Sequence, residues 1–123
     1  KRKLFLAAYT WLQHRRSKGS LMRLPQSLRI NGREVKLLPK TVAELPDAYG
    51  LWFEESGSIH YRSRSPREVR RDTLLHEVMH AVRYYQGREY GGEVEEDYVR
   101  SLATGILGVL DDNPQFAKWL LHK

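Results

Sequence analysis

The chain has 123 residues, 41% hydrophobic and 29% charged, with a formal net charge of +6 and no cysteine. That length holds one modest core, and the apolar content excludes a disordered chain. The absence of cysteine excludes disulfides and thiolate metal sites, so a metal here would be held by histidine and carboxylate, and it fits a reducing, cytoplasmic setting; the positive charge suits either a basic solvated surface or an acidic partner such as nucleic acid.

Residues 1–25 are expected to form a basic, amphipathic, helical extension. Lys1–Lys3 precede the apolar run Leu4–Leu12, and His14-Arg15-Arg16 follow. The run is too short to span a bilayer, and no small-x-small cleavage site follows it. A helix ending near Gly19 would bury Leu4, Ala8, Trp11 and Leu12 and show its Lys and Arg to water. No other segment approaches transmembrane length. The chain starts at Lys1 rather than Met, which suggests a piece of something longer.

Residues 26–123 form the second expected unit. Asn31-Gly32, set between alternating apolar residues, signals a two-residue hairpin, and Pro39 is expected to end its second strand. Thr41–Tyr49 reads as a short helical turn or loop. Leu51–Phe53 and Ser58–Arg62 flank Glu54-Glu55-Ser56-Gly57, so a second hairpin is expected there. Ser65-Pro66-Arg67-Glu68 then opens a long helix, with Ser65 and Glu68 as a capping box and Gly87 as the stop. A connector with Gly91-Gly92 leads to another helix, Glu93 to about Leu110, whose apolar stripe is Val99, Leu102, Ala103, Ile106, Val109 and Leu110. Asp111–Pro114 ends it, and Phe116, Trp119 and Leu120 suggest a short closing helix. The fold class is α+β: a small antiparallel or mixed sheet of two hairpins packed on two helices.

The long helix carries His76-Glu77-Val78-Met79-His80. Positions i and i+4 share one helix face, so the two imidazoles can hold one zinc ion, and Glu77 beside the first can act as general base toward a water that the metal activates. With only 5 histidines in the chain, a chance match is improbable. The flanks Leu74, Leu75, Val78, Met79, Ala81 and Val82 make the helix apolar nearly all round, and a buried helix must satisfy its polar groups. At 100° per residue, Thr73, Glu77, His80 and Tyr84 fall near His76, which makes Tyr84 a candidate catalytic residue, although such a tyrosine is more often core or rim.

Two histidines do not close a catalytic zinc site, which usually has three protein ligands. No histidine lies six residues after His80. The acidic group Glu93, Glu95, Glu96 and Asp97 opens the next helix, where its charge also suits the helix dipole. Glu96 is the preferred third ligand and Glu93 the runner-up, while Glu95 and Asp97 are expected to point elsewhere.

His76-Glu77-x-x-His80, followed by Glu96-x-x-Val99-x-x-Leu102-Ala103, resembles the zincin metallopeptidases that use glutamate as third ligand. It is most similar to compact bacterial and phage-type members, including those of the ImmA/IrrE kind. The resemblance spans about Leu28 to Pro114. It departs at Val99-Arg100, where the family often has Ala-Asn, and residues 1–25 have no counterpart. It implies a minimal zincin-like fold with His76, His80 and Glu96 on zinc and Glu77 as general base. It also implies a protein or peptide substrate, a narrow target, and the cytoplasm of a bacterium or of a phage-infected host. The strand before the metal helix, Ser58–Arg62, would lie along the cleft and pair with an extended peptide. Tyr84, His60 and Arg100 are candidates to stabilise an oxyanion, and Asp72 or another carboxylate to hold the second nitrogen of a ligand histidine. An alternative function is a nucleic-acid-associated module on the same fold, using residues 1–18 with Arg62, Arg64, Arg67, Arg70 and Arg71.

Overall fold

The computed structural model describes residues 23–88 and 91–123. The expected helix over residues 1–18 lies outside them, and Arg23–Pro25 approach the first strand without regular structure. The elements are β1 (Ser27–Ile30), β2 (Arg33–Lys40), β3 (Gly50–Phe53), β4 (Ser58–Arg62), α1 (Arg67–Tyr85), α2 (Gly92–Asp112) and α3 (Pro114–Leu121). The class is α+β, with a mixed sheet in the order β1-β2-β4-β3.

Both hairpins form. In the first, Asn31 and Gly32 take φ of 50° and 79°, the positive pair that a type I′ turn needs, and Ile30 pairs with Arg33. In the second, β3 pairs antiparallel with β4, Trp52 against Ile59. The two hairpins join through parallel pairing of β2 with β4. Pro39 does not end β2: the strand runs on to Lys40, with Pro39 opposite Tyr61. β1 pairs no further than Lys36, so β2 has one neighbour at Pro39 and an open side where a missing N–H costs no ladder bond. The place of β4 also differs from expectation. It lies between β2 and β3, so among the described residues the free edge near α1 belongs to β3.

The period-2 alternation points Ile30, Val35, Leu37, Ile59 and Tyr61 to one sheet face, where they meet Leu74 and Ala81 of α1. Leu28, Trp52, Val78, Val82 and Tyr85 close the rim of this core. α1 starts one residue later than expected, with Pro66 at its N-cap. Ser65 is therefore out of register for a capping box, and its hydroxyl donates instead to the Arg62 carbonyl at 3.0 Å. The reciprocal bonds of a box appear between Thr41 and Glu44, which close the turn after β2. Gly87, at φ 68°, stops α1 as expected.

α2 lies against α1 through Val99 and Ala103, which are buried. Its expected stripe is only partly used. Leu102, Ile106 and Val109 are 48%, 41% and 50% exposed, because a single helix gives α2 a narrow line of contact. Polar ties complete the join. Arg71 makes a bidentate pair with Asp111 at 2.9 and 2.7 Å, and Thr104 Oγ1 donates to Asp72 at 2.8 Å. Among the described residues no helix is long and apolar enough to cross a membrane.

Candidate metal centre

α1 places His76 and His80 one turn apart, with ring centroids 4.9 Å from each other. The first turn of α2 brings Glu96 over both. Its Oε1 lies 2.6 Å from His76 Nε2, its Oε2 lies 3.1 Å from His80 Nε2, and the two Nε2 atoms are 3.3 Å apart. These three residues form a group whose ligand atoms lie close enough to hold one metal ion. Glu93, the runner-up, is exposed and outside the group.

The donor set fits a cation. Tetrahedral ligands at zinc distances stand about 3.3 Å apart. Burial, opposed by the carboxylate of Glu96, holds His76 below its ordinary value of 6.5, so its ring is neutral near pH 7 and has a lone pair to offer. The Nδ1 of His80 faces Glu95 Oε2 at 3.3 Å. A carboxylate accepts and does not donate, so a hydrogen bond between the two needs the ring proton on this nitrogen. His80 Nε2 faces an oxygen of Glu96 at 3.1 Å, and in the tautomer with its proton on Nδ1 it turns a lone pair there, which a cation between the two would satisfy.

Glu77 stands beside this group. It is buried, with Oε2 4.0 Å from His76 Nε2, and it accepts a hydrogen bond from the backbone N–H of Trp52. Burial pushes its carboxyl up to about 7, with Glu96 adding to the shift and His80 and the Trp52 N–H opposing it. β3 comes this close because it begins with glycine. A Cβ on Gly50 would sit 2.5 Å from Thr73 Cγ2 and 3.3 Å from Glu77 Cγ. A cleft of about 890 Å³ runs along β3 and the turn after it, with His76, Glu77, His80, Glu95 and Glu96 in its wall.

No protein-family model, curated protein or solved structure matches the chain.

The other expected site residues lie further off. Tyr84 is not among the residues lining the cleft; it packs edge-on against Trp52 and Tyr85, at 6.0 and 5.3 Å between centroids. His60 lies against Phe53, 4.3 Å between ring centroids, and is likewise absent from the lining. Arg100 is 4.0 Å from Glu96 Oε1 in an ordinary i, i+4 pair, with its side chain 68% exposed. Asp72 is taken up by Thr104.

Glu95 corrects the expectation most clearly. It does not point away: it is 5% exposed and bridges His80 Nδ1 to Arg83, whose Nε lies 3.1 Å from Oε1. The signal for it was in the spacing. Glu95 precedes Val99 by four residues and Ala103 by eight, so the helical period sets it on the buried line of α2.

Arg62, Arg70 and Arg71 of the suggested nucleic-acid surface have work inside the fold. Arg62 donates to the carbonyls of Leu45 and Pro46 and lies over the Tyr49 ring. Arg70 donates to the carbonyls of Ser63 and Ser65, and Arg71 holds Asp111.

Proposed function

We propose that the chain is a zinc-dependent endopeptidase of the zincin type, with His76, His80 and Glu96 as metal ligands and Glu77 as general base. The observation that carries this reading is the convergence of both Nε2 atoms on the Glu96 carboxylate, with the buried Glu77 carboxyl beside them and a cleft in front. Zinc held there supplies Lewis acidity toward a water and a peptide carbonyl. Glu77 takes the proton of the attacking water and passes it to the leaving amine nitrogen. The Trp52 N–H holds the Glu77 carboxylate in place for both transfers.

The free edge of β3 gives the substrate its track. Arg62 N–H bonds to the Tyr49 carbonyl, and antiparallel pairing alternates, so the backbone groups of Gly50 and Trp52 face away from β4 and toward the cleft. The Trp52 N–H is taken by Glu77, and an extended peptide segment can add to that edge through the remaining backbone groups. The substrate track proposed here is β3, the role first expected of Ser58–Arg62.

The test is a Glu77→Gln variant beside the wild type, both loaded with zinc and offered a peptide library read by mass spectrometry. The wild type is expected to cleave at defined bonds, and the variant to keep its zinc and cleave at least about 1,000-fold more slowly. Equal cleavage by the two proteins would sink the mechanism.

A further inference from the structure

We propose that Glu95, held by Arg83, is a positioning residue that sets the tautomer of His80, so that Nε2 is the free ligand nitrogen. The inference rests on the zinc reading of the site and goes past it, to how the chain orients one ligand. Two contacts define the arrangement. Glu95 Oε2 lies 3.3 Å from His80 Nδ1, and Glu95 Oε1 accepts from Arg83 Nε at 3.1 Å. The Glu95 side chain is 4% exposed, so water has little access to either oxygen. Arg83 is itself anchored, because its Nη2 donates to the Arg88 carbonyl at 2.8 Å. Both carboxylate oxygens are thus committed, one to a cation and one to the imidazole.

This geometry gives a prediction that packing alone does not. In Glu95→Gln the shape is kept but the two ends of the side chain become different. Arg83 can only donate, so it draws the amide oxygen to itself. The amide NH2 then faces His80 Nδ1 and needs a lone pair there. The ring must carry its proton on Nε2, which is the nitrogen the metal needs. Glu95→Ala removes the anchor without imposing the wrong tautomer. The isosteric change should therefore harm zinc binding more than the truncation, the reverse of what a packing role would give. Adding Arg83→Met to Glu95→Gln frees the amide to turn, and its oxygen can again accept from Nδ1–H.

The experiment measures zinc affinity by competition with a chromophoric chelator, for the wild type, Glu95→Ala, Glu95→Gln and Glu95→Gln/Arg83→Met, with thermal melting of each metal-free protein as the fold control. Losses of about 10-fold for Ala and about 100-fold for Gln are expected, with partial recovery in the double variant. Glu95→Gln binding as tightly as wild type, or more tightly than Glu95→Ala, overturns the proposal and leaves the zinc reading standing. A wild type that takes up no zinc overturns both. A second readout does not depend on the variants folding. Histidine-selective 15N spectra of the zinc-loaded wild type should show His80 on the metal through Nε2 with its proton on Nδ1, and ligation through Nδ1 overturns the assignment.

Discussion

At the scale of single residues, the role proposed for Glu77 is set against stability. Its folded value near 7 stands above the ordinary 4.5, so between those limits the folded, metal-free protein holds a proton that the unfolded chain has released. The sign follows from that difference. For this group, stability is full below about pH 4.5, falls as pH rises to 7, and is level above, a loss of about 3 kcal/mol. Glu77→Gln removes the buried charge. In chelator, by urea denaturation, the variant should be more stable than wild type at pH 8, and the gap should shrink toward pH 5. A gap of the same size at both values would show that the carboxyl is not shifted upward. Gly50 gives the matching steric prediction. In Gly50→Ala the added methyl meets Cγ2 of the short, β-branched Thr73 side chain. β3 must then move off α1, at a cost of about 1–3 kcal/mol, and carry the Trp52 N–H away from Glu77. Hydrolysis should fall even where the protein still folds. The histidines were legible in the sequence because metal ligation constrains their spacing on one helix. Trp52 and Gly50 were not, because their part depends on how closely a strand far away in the chain approaches that helix.

At the scale of elements, local chemistry was the readable part. Asn31-Gly32 specifies its own turn, and Gly87 its own stop, through backbone angles that need no distant partner. Which strand lies at an edge is a different kind of fact. The second hairpin was visible in the sequence, but its place beside β2 depends on the parallel pairing of β2 with β4, and nothing local encodes that. The ties between α1 and α2 are equally non-local, and they matter to the site because Glu96 arrives on α2 while both histidines ride on α1. Arg71 and Asp111 are each 24% exposed at the side chain and meet in bidentate geometry. Such a pair is worth more than a loose surface contact, about 1 kcal/mol. Arg71→Met should lower the unfolding free energy by that amount, read from urea denaturation. The pair lies near the far end of α2 from Glu96, so zinc affinity should change little. A large loss of affinity with no loss of stability would mean that the pair steers the metal site directly.

At the scale of the whole molecule, the charge and the site are separate. Lys1, Arg2, Lys3, Arg15, Arg16 and Lys18 account for the whole +6, and residues 23–123 contain as many Lys and Arg as Asp and Glu. The body that holds the site is therefore formally neutral, and its own electrostatics offer no general pull on nucleic acid. An ion at the centre would add one more tie between two helices already joined by the apolar contact of Val99 and Ala103 and by the Arg71–Asp111 and Thr104–Asp72 pairs. An ion that binds the folded state and not the unfolded one adds RT ln(1 + [L]/Kd) to stability, about 2.7 kcal/mol when free metal is 100 times Kd. For a chain of this size that is a rise in melting temperature on the order of 10 °C. Zinc should produce it in the wild type, chelator should reverse it, and Glu96→Ala should melt at the same temperature with and without the metal. Magnesium, which prefers oxygen ligands and an octahedral shell, should leave all of them unchanged. If Glu96→Ala is stabilised by zinc as strongly as the wild type, the two histidines alone hold the ion, and the clasp between α1 and α2 does not depend on it.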